Sequence, residues 1–157
     1  LRGEIFVTRK ITRALARIKL GLQDILLLGN LDAQRDWGHA KDFVRAMHMI
    51  VNHDTPDDFV VATGVQYSVR DFVSACLDML EFSYSWEDFG QNEGCFDTQT
   101  GKQLVAVSAK YFRPAEVETL LGDSSKAARE LGWKPEISFE TLVSEMIEFD
   151  LKKEASR

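Results

Sequence analysis

The chain has 157 residues, 45% of them hydrophobic, which is enough to bury one core and too little for two full domains. Its 19 Lys and Arg against 25 Asp and Glu leave a net charge of −6, which argues against nucleic acid or an anionic membrane as partner, because both reward a basic surface. No apolar run approaches the roughly 20 residues of a spanning helix, and the first residues lack a charged-then-apolar leader layout, so a soluble protein is expected.

Leu1 stands where a start methionine would, and Phe6-Val7 arrive without a preceding turn, so a truncated N-terminus is expected. From Thr8 to Leu20, Ile11, Ala14, Leu15 and Ile18 recur at helical spacing and Gly21 follows as a stop. Ile25 to Leu28 is a short apolar run closed by Gly29-Asn30, which suits a buried strand ending in a turn. A second helix is predicted over Ala40 to Val51, with Phe43, Val44, Met47 and Val51 inward. Phe59 to Thr63 then reads as a strand buried on both faces, which implies parallel sheet.

Ser68-Val69-Arg70-Asp71 has the form of a capping box, with Tyr67 and Phe72 as its hydrophobic staple, and the helix runs on through Val73, Cys76, Leu77 and Leu80. Ser83 to Lys102 is rich in Gly, Asp, Asn and Ser. There Thr100-Gly101-Lys102 is a predicted turn between short strands at Tyr84–Trp86 and Leu104–Val107. Asp123 or Ser124 caps a short helix through Leu131, Gly132 ends it, and Pro135 forbids its continuation. A last helix starts at Ser138, and Glu145, Glu148, Asp150, Lys152, Lys153 and Glu154 read as its solvated face. Without repeats or low-complexity linkers, residues 1–157 form one α/β unit.

The charge distribution is uneven. Between Glu4 and Asp24 lie Arg9, Lys10, Arg13, Arg17 and Lys19 and no acid, within a chain that is acidic overall. Arg13, Arg17 and Lys19 fit either a solvated basic face or a local anion site. Lys10 falls in the first turn, where free backbone amides and the helix dipole also attract an anion, so a phosphate fits there. The stretch Gly29 to Asp42 sets a turn, polar side chains and Trp37 between a strand and a helix. Arg35 has two readings, an ion pair with Asp36 or Asp42, or a diphosphate ligand; Trp37 is equally a core candidate. In Arg113-Pro114-Ala115-Glu116 the proline holds Arg113 extended, and a carboxylate follows that suits ribose hydroxyls. His39, His48 and His53 have no metal-type motif, and no metal site is expected. Cys76 and Cys95 have no pairing pattern or metal spacing, which suits a reducing, cytoplasmic setting; Cys76 is in core phase.

Several strings together resemble one family closely. These are Arg2-Gly3-Glu4, Phe6-Val7-Thr8-Arg9-Lys10-Ile11-Thr12, Leu28-Gly29-Asn30-Leu31-Asp32, Arg35-Asp36-Trp37-Gly38-His39-Ala40-Lys41-Asp42, Ala62-Thr63-Gly64, Tyr111-Phe112-Arg113-Pro114-Ala115-Glu116-Val117 and Leu131-Gly132-Trp133-Lys134-Pro135. In order and spacing they resemble the GDP-mannose 4,6-dehydratases. The Arg-Asp-aromatic and Leu-Gly-Trp-x-Pro blocks are shared by many extended short-chain dehydrogenase/reductases that bind nucleotide sugars, whereas the Phe-Val-Thr-Arg-Lys and Arg-Asp-Trp-Gly-His-Ala-Lys-Asp strings are more specific.

The resemblance implies a two-part enzyme, with an N-terminal NADP-binding Rossmann portion and a C-terminal sugar-nucleotide portion, to which this chain corresponds and whose chain crosses back to complete the sheet. In the family, GDP-mannose is oxidised at C4, water is lost across C5 and C6, and the hydride returns to C6. Lys10, Arg35 and Arg113 correspond to residues that hold the GDP diphosphate and neighbouring groups, and Glu116 to the ribose contact. Asn30 and Val7 correspond to nucleotide neighbours, and Arg2 to an arginine that touches NADP. A homodimer or homotetramer is implied for the full-length enzyme. Ile5, Ser108 and Phe43 depart from the usual residues without removing a charged ligand. No Gly-x-x-Gly-x-x-Gly loop occurs, and neither Tyr67, Tyr84 nor Tyr111 is followed by Lys four residues on, so no catalytic residue is assigned and the chain is expected to be inactive alone.

Overall fold

The computed structural model describes residues 3, 6–87, 93–111 and 117–156. Along the chain run helix α1 (Val7–Lys19), strands β1 (Leu26–Leu28) and β2 (Gln34–Arg35), helix α2 (Ala40–Val51), strand β3 (Tyr67–Ser68) and helix α3 (Val69–Met79). Strands β4 (Tyr84–Glu87), β5 (Gly94–Asp97) and β6 (Gln103–Val107) follow. A 3-10 turn (Ala109–Tyr111), strand β7 (Thr119–Leu120) and helices α4 (Ser125–Glu130) and α5 (Phe139–Ala155) complete the order.

Two small sheets result. One has the order β1-β6-β5-β4 and the other β3-β2-β7. The β1/β6 pair is parallel, with Leu26 opposite Val105 and Leu28 opposite Val107, and the β2/β7 pair is parallel as well. The remaining pairs are antiparallel, so the expected α/β class holds with mixed sheets. The turn at residues 100–102 joins β5 to β6, where the sequence suggested a connection from the Tyr84 strand; β5 itself carries Gly94 and Cys95 and had no clear strand signal.

The helical spacing of α1 and α3 delivers Ile11, Leu15, Phe72, Val73, Cys76 and Leu77 to the main core with 0% exposure, against Leu26, Leu104 and Val105 of the larger sheet. Each such aliphatic or aromatic side chain stabilises the fold by about 1.5–3 kcal/mol. The capping box at Ser68 and Asp71 is formed in both directions. Tyr67 and Phe72 both pack on Phe139, at 3.9 and 5.7 Å between ring centroids. Trp37 meets the edge of Phe72 at 5.0 Å, which settles it as a core residue. A smaller core gathers Ala46, Ala127 and Trp133. There Gly132 turns the chain with φ 68° and Trp133 N–H reaches back to the Ala127 carbonyl at 3.2 Å, closing α4. Asp123 Oδ1 accepts from Ser125 N–H at 2.9 Å, so of the two suggested caps the aspartate makes the bond.

Three expectations are corrected. The charged tail of α5 is not wholly solvated: Asp150 is 0% and Glu154 2% exposed, because α5 lies against α1 and its acids meet the arginines of that helix. Within α2, Val44, Met47 and Val51 point outward at 61, 62 and 83% exposure, while Asp42 and Ala46 are buried. Helical periodicity marks an apolar stripe but not the neighbour it faces. Residues 59–63 have no strand pairing among the described residues, and Val60 is 54% exposed.

Two measurements follow. Asp150→Ala removes the buried carboxylate that accepts from Arg9 and Thr12 and is expected to cost about 3–5 kcal/mol in urea unfolding; a loss below about 1 kcal/mol would place the pair with surface bridges. Replacing Val44, Met47 and Val51 together by Gln is expected to lower the chain's binding of anilinonaphthalene sulfonate and its self-association while helical circular dichroism is kept. Unchanged dye fluorescence would put the sticky surface elsewhere.

Candidate functional site

Helix α1 begins without a side-chain cap at Phe6 and without an acid in its first turn. Its cations then divide by partner. Arg9 donates through Nε to both oxygens of Asp150 at 2.9 Å, and Thr12 Oγ1 donates to Asp150 Oδ2 at 2.7 Å. Arg13 Nε and Arg17 Nη1 donate to the two oxygens of Glu154 at 2.9 and 2.7 Å. The ammonium of Lys19 sits over Phe82 at 4.9 Å.

Lys10 meets no carboxylate among the described residues. Its ammonium lies 3.5 Å from the centroid of Tyr111, and burial lowers its pKa. The two side chains share a hollow of about 250 Å³ with Arg13, Arg17, Gln23 and Leu27. Tyr111 is held from below: its N–H donates to the Ser108 carbonyl at 2.9 Å, and Ser108 N–H donates to the Leu28 carbonyl at 2.8 Å, at the end of β1.

Arg35 lies elsewhere, on β2 between β3 and β7, and lines a second hollow of about 340 Å³ with Asp36, Phe43, Val60 and Leu120. Neither carboxylate near it in sequence is its partner. Asp36 accepts from Thr63 N–H and Gly64 N–H at 3.1 and 2.9 Å and from Thr63 Oγ1 at 2.7 Å. Asp42 accepts from the amides of Glu136 and Ile137 at 3.1 and 3.0 Å, while its carbonyl takes the Trp133 indole N–H at 2.9 Å. Gly38 lies between them, and a Cβ there would come within 2.5 Å of the Phe43 ring and 2.8 Å of the Thr63 methyl. His39 caps α2 by accepting from Lys41 N–H at Nδ1, which leaves Nε2–H to donate to Glu145 at 3.0 Å. Much of this motif is therefore structural: it clips α2 to the 133–137 segment and to α5.

Asn30 closes β1 in an Asx-turn, its Oδ1 accepting from Asp32 N–H at 2.9 Å. Val7 opens α1 and is 39% exposed. Arg2, Arg113 and Glu116 lie outside the described residues. The flanks of the latter pair are described: Tyr111 sits on Lys10, and Thr119 and Leu120 pair with Gln34 and Arg35. Two contacts had no sequence signal, although the residues that make them lie in the motif strings. Tyr111 is about a hundred residues from Lys10, and the Asp36 clamp on the 63–64 turn joins residues 27 apart.

A family model described as GDP-mannose 4,6 dehydratase matches residues 1–146. The chain belongs to that family. A GDP-mannose 4,6-dehydratase of Sinorhizobium fredii is 54% identical over 151 residues, covering 96% of this chain and 43% of its own length. The Homo sapiens GDP-mannose 4,6 dehydratase is 48% identical over 151 residues, again 96% of this chain and 41% of the relative. The chain thus spans less than half the length of these curated relatives. Among solved structures, RMD from Pseudomonas aeruginosa complexed with NADPH matches 97% of the chain and 44% of its own, with TM-score 0.77 and 20% identity. A dTDP-glucose 4,6-dehydratase from Bacillus anthracis in complex with NAD matches 98% and 41%, with TM-score 0.72 and 13% identity. At these identities the likeness is one of fold, which this chain shares also with a UDP-glucose 4-epimerase from Thermotoga maritima.

Neither cysteine is placed for nucleophilic work. Burial raises the Cys76 thiol well above its ordinary range and pushes Cys95 up to about 12. At pH 8 the folded chain is expected to resist dithionitrobenzoate at both thiols and to release two equivalents only after urea. Prompt labelling of the native protein would contradict this burial.

Proposed function

We propose that residues 1–157 are the C-terminal, sugar-nucleotide-binding portion of an NADP-dependent GDP-mannose 4,6-dehydratase, a hydro-lyase of the cytoplasm that works as a homodimer or homotetramer. The observation that carries this reading is the Lys10 ammonium, which faces a hollow of about 250 Å³ beside Tyr111 and meets no carboxylate among the described residues.

The electrostatics support the same reading. In a chain of net charge −6, Lys10 meets no carboxylate among the described residues while Arg9, Arg13 and Arg17 are engaged by Asp150 and Glu154. The first turn of α1 carries no acid, and the positive end of a 13-residue helix adds to the potential there. In this reading Lys10, Arg35 and Arg113 hold the diphosphate and neighbouring groups, Glu116 the ribose, and Asn30 and Val7 flank the nucleotide. Arg2 reaches the cofactor, whose main cradle and acid–base pair belong to the part of the relatives' length that this chain does not span.

When bound, NADP would supply a reversible hydride acceptor for the conversion of GDP-mannose to GDP-4-dehydro-6-deoxy-mannose, in which C4 is oxidised, water is lost across C5 and C6, and C6 is reduced. The residues of this chain bind and orient the nucleotide end, so that the sugar is presented to groups it does not itself contain.

The test is nucleotide binding by calorimetry. GDP is expected to bind and UDP and dTDP to bind at least about tenfold more weakly. Lys10→Met and Arg113→Ala are each expected to weaken GDP about tenfold or more, as loss of a charge-assisted contact does. Because burial depresses the Lys10 pKa, the ammonium is lost, and GDP affinity with it, as pH rises through a range below the ordinary lysine value of about 10.4. Equal affinity for the three diphosphates would defeat the GDP assignment.

A further inference from the structure

Lys10 presents a physical problem. A partly buried ammonium with no carboxylate among the described residues is poorly compensated, and a lysine carries four rotatable bonds on which to escape into water. Arg13 and Arg17, which line the same hollow, are engaged by Glu154. Among the described residues the Lys10 ammonium meets the Tyr111 ring, whose face lies 3.5 Å from Nζ. The negative face of an aromatic quadrupole attracts a cation, more strongly where water is excluded.

The ring is well anchored for this purpose. Backbone hydrogen bonds tie its turn to Ser108 and thence to the end of β1, so its position follows from the sheet and not from a loop. Its hydroxyl makes no hydrogen bond among the described residues, and the residue is 41% exposed, so packing alone does not account for an aromatic here.

We propose that Tyr111 is a positioning residue of the nucleotide site: its ring face holds the Lys10 ammonium in the hollow, ready for the diphosphate, without neutralising it as a carboxylate would. This rests on the reading of Lys10 as a diphosphate ligand. An aromatic partner differs from an acidic one in a way that suits the task. It fixes the direction of the charge and lowers the entropy of ordering the side chain at binding, yet leaves the full unit of charge for the ligand. The hydroxyl has no part in this, so phenylalanine serves as well as tyrosine and leucine, of similar apolar bulk, does not.

The experiment pairs GDP calorimetry with observation of the Lys10 amine by nitrogen-15 NMR in the absence of nucleotide, using this chain and, in parallel, the full-length enzyme. Tyr111→Leu is expected to weaken GDP about tenfold, the upper part of the range for a desolvated cation–aromatic contact. Tyr111→Phe is expected to stay within about twofold of the parent. In a Lys10→Met background, Tyr111→Leu is expected to cause no further loss, whereas a merely structural role would weaken binding in both backgrounds. Without nucleotide, the Lys10 amine is expected to titrate at lower pH in Tyr111→Leu than in the parent, since the leucine keeps the burial but removes the stabilising ring face.

If the parent binds GDP and Tyr111→Leu binds as well as the parent, the positioning role is overturned while the diphosphate reading stands. If the parent binds no GDP in either form of the protein, the diphosphate reading falls and takes the ligand half of this proposal with it. An unchanged Lys10 titration in Tyr111→Leu overturns the pairing itself, whatever GDP does.

Discussion

The contact between α1 and α5 through buried charge decides how the rest of the molecule is presented. Asp150 and Glu154 are withdrawn from water, and Arg9, Thr12, Arg13 and Arg17 surround them with hydrogen-bond donors. Pairs of this kind add little net stability relative to an apolar substitute, since desolvation offsets most of the attraction, but they are intolerant of misplacement. Only one rotation of α1 brings residues 9, 13 and 17, which share a face, against α5. Lys10, one residue and about 100° on from Arg9, then lines the hollow beside Tyr111 together with Arg13 and Arg17. Of these three cations, Arg13 and Arg17 are engaged by Glu154, and Lys10 meets no carboxylate among the described residues.

Two parallel strand pairs do the rest of the placing. Pairing β1 with β6 sets the 3-10 turn of Tyr111 at the end of β1, and pairing β7 with β2 brings the chain back beside Arg35. Polar side chains of the neighbouring motif serve the scaffold: Asp36 fixes the turn at 63–64, Asp42 holds the 133–137 segment, and His39 ties α2 to α5. Binding residues of this kind need such rigid supports, because a ligand contact off by an ångström loses much of its value.

The outward face of α2 belongs to a different level of organisation. A helix with Ala46 buried on one side and Val44, Met47 and Val51 bare on another has apolar surface for two neighbours. Among the described residues only one of them is met. Residues 59–63, read as a doubly buried strand, fit the same pattern, since a strand needs hydrogen-bonding partners that the described residues do not provide.

By itself the sequence determined the local structure: α1 and α3 from helical spacing, the start of α3 from Ser68 and Asp71, the end of α4 from Gly132, and the family from the order of its motif strings. These are readable because each depends on residues a few positions apart, through capping hydrogen bonds, backbone sterics and periodicity. Tertiary structure alone decided that Asp150 and Glu154 are buried partners and not a solvated face, that Trp37 and Asp42 are scaffold, and that Tyr111 covers Lys10. Burial and charge pairing are properties of what lies opposite in space. For residues more than a hundred positions apart, only the packing of α1, α5 and the β6 turn establishes what that is.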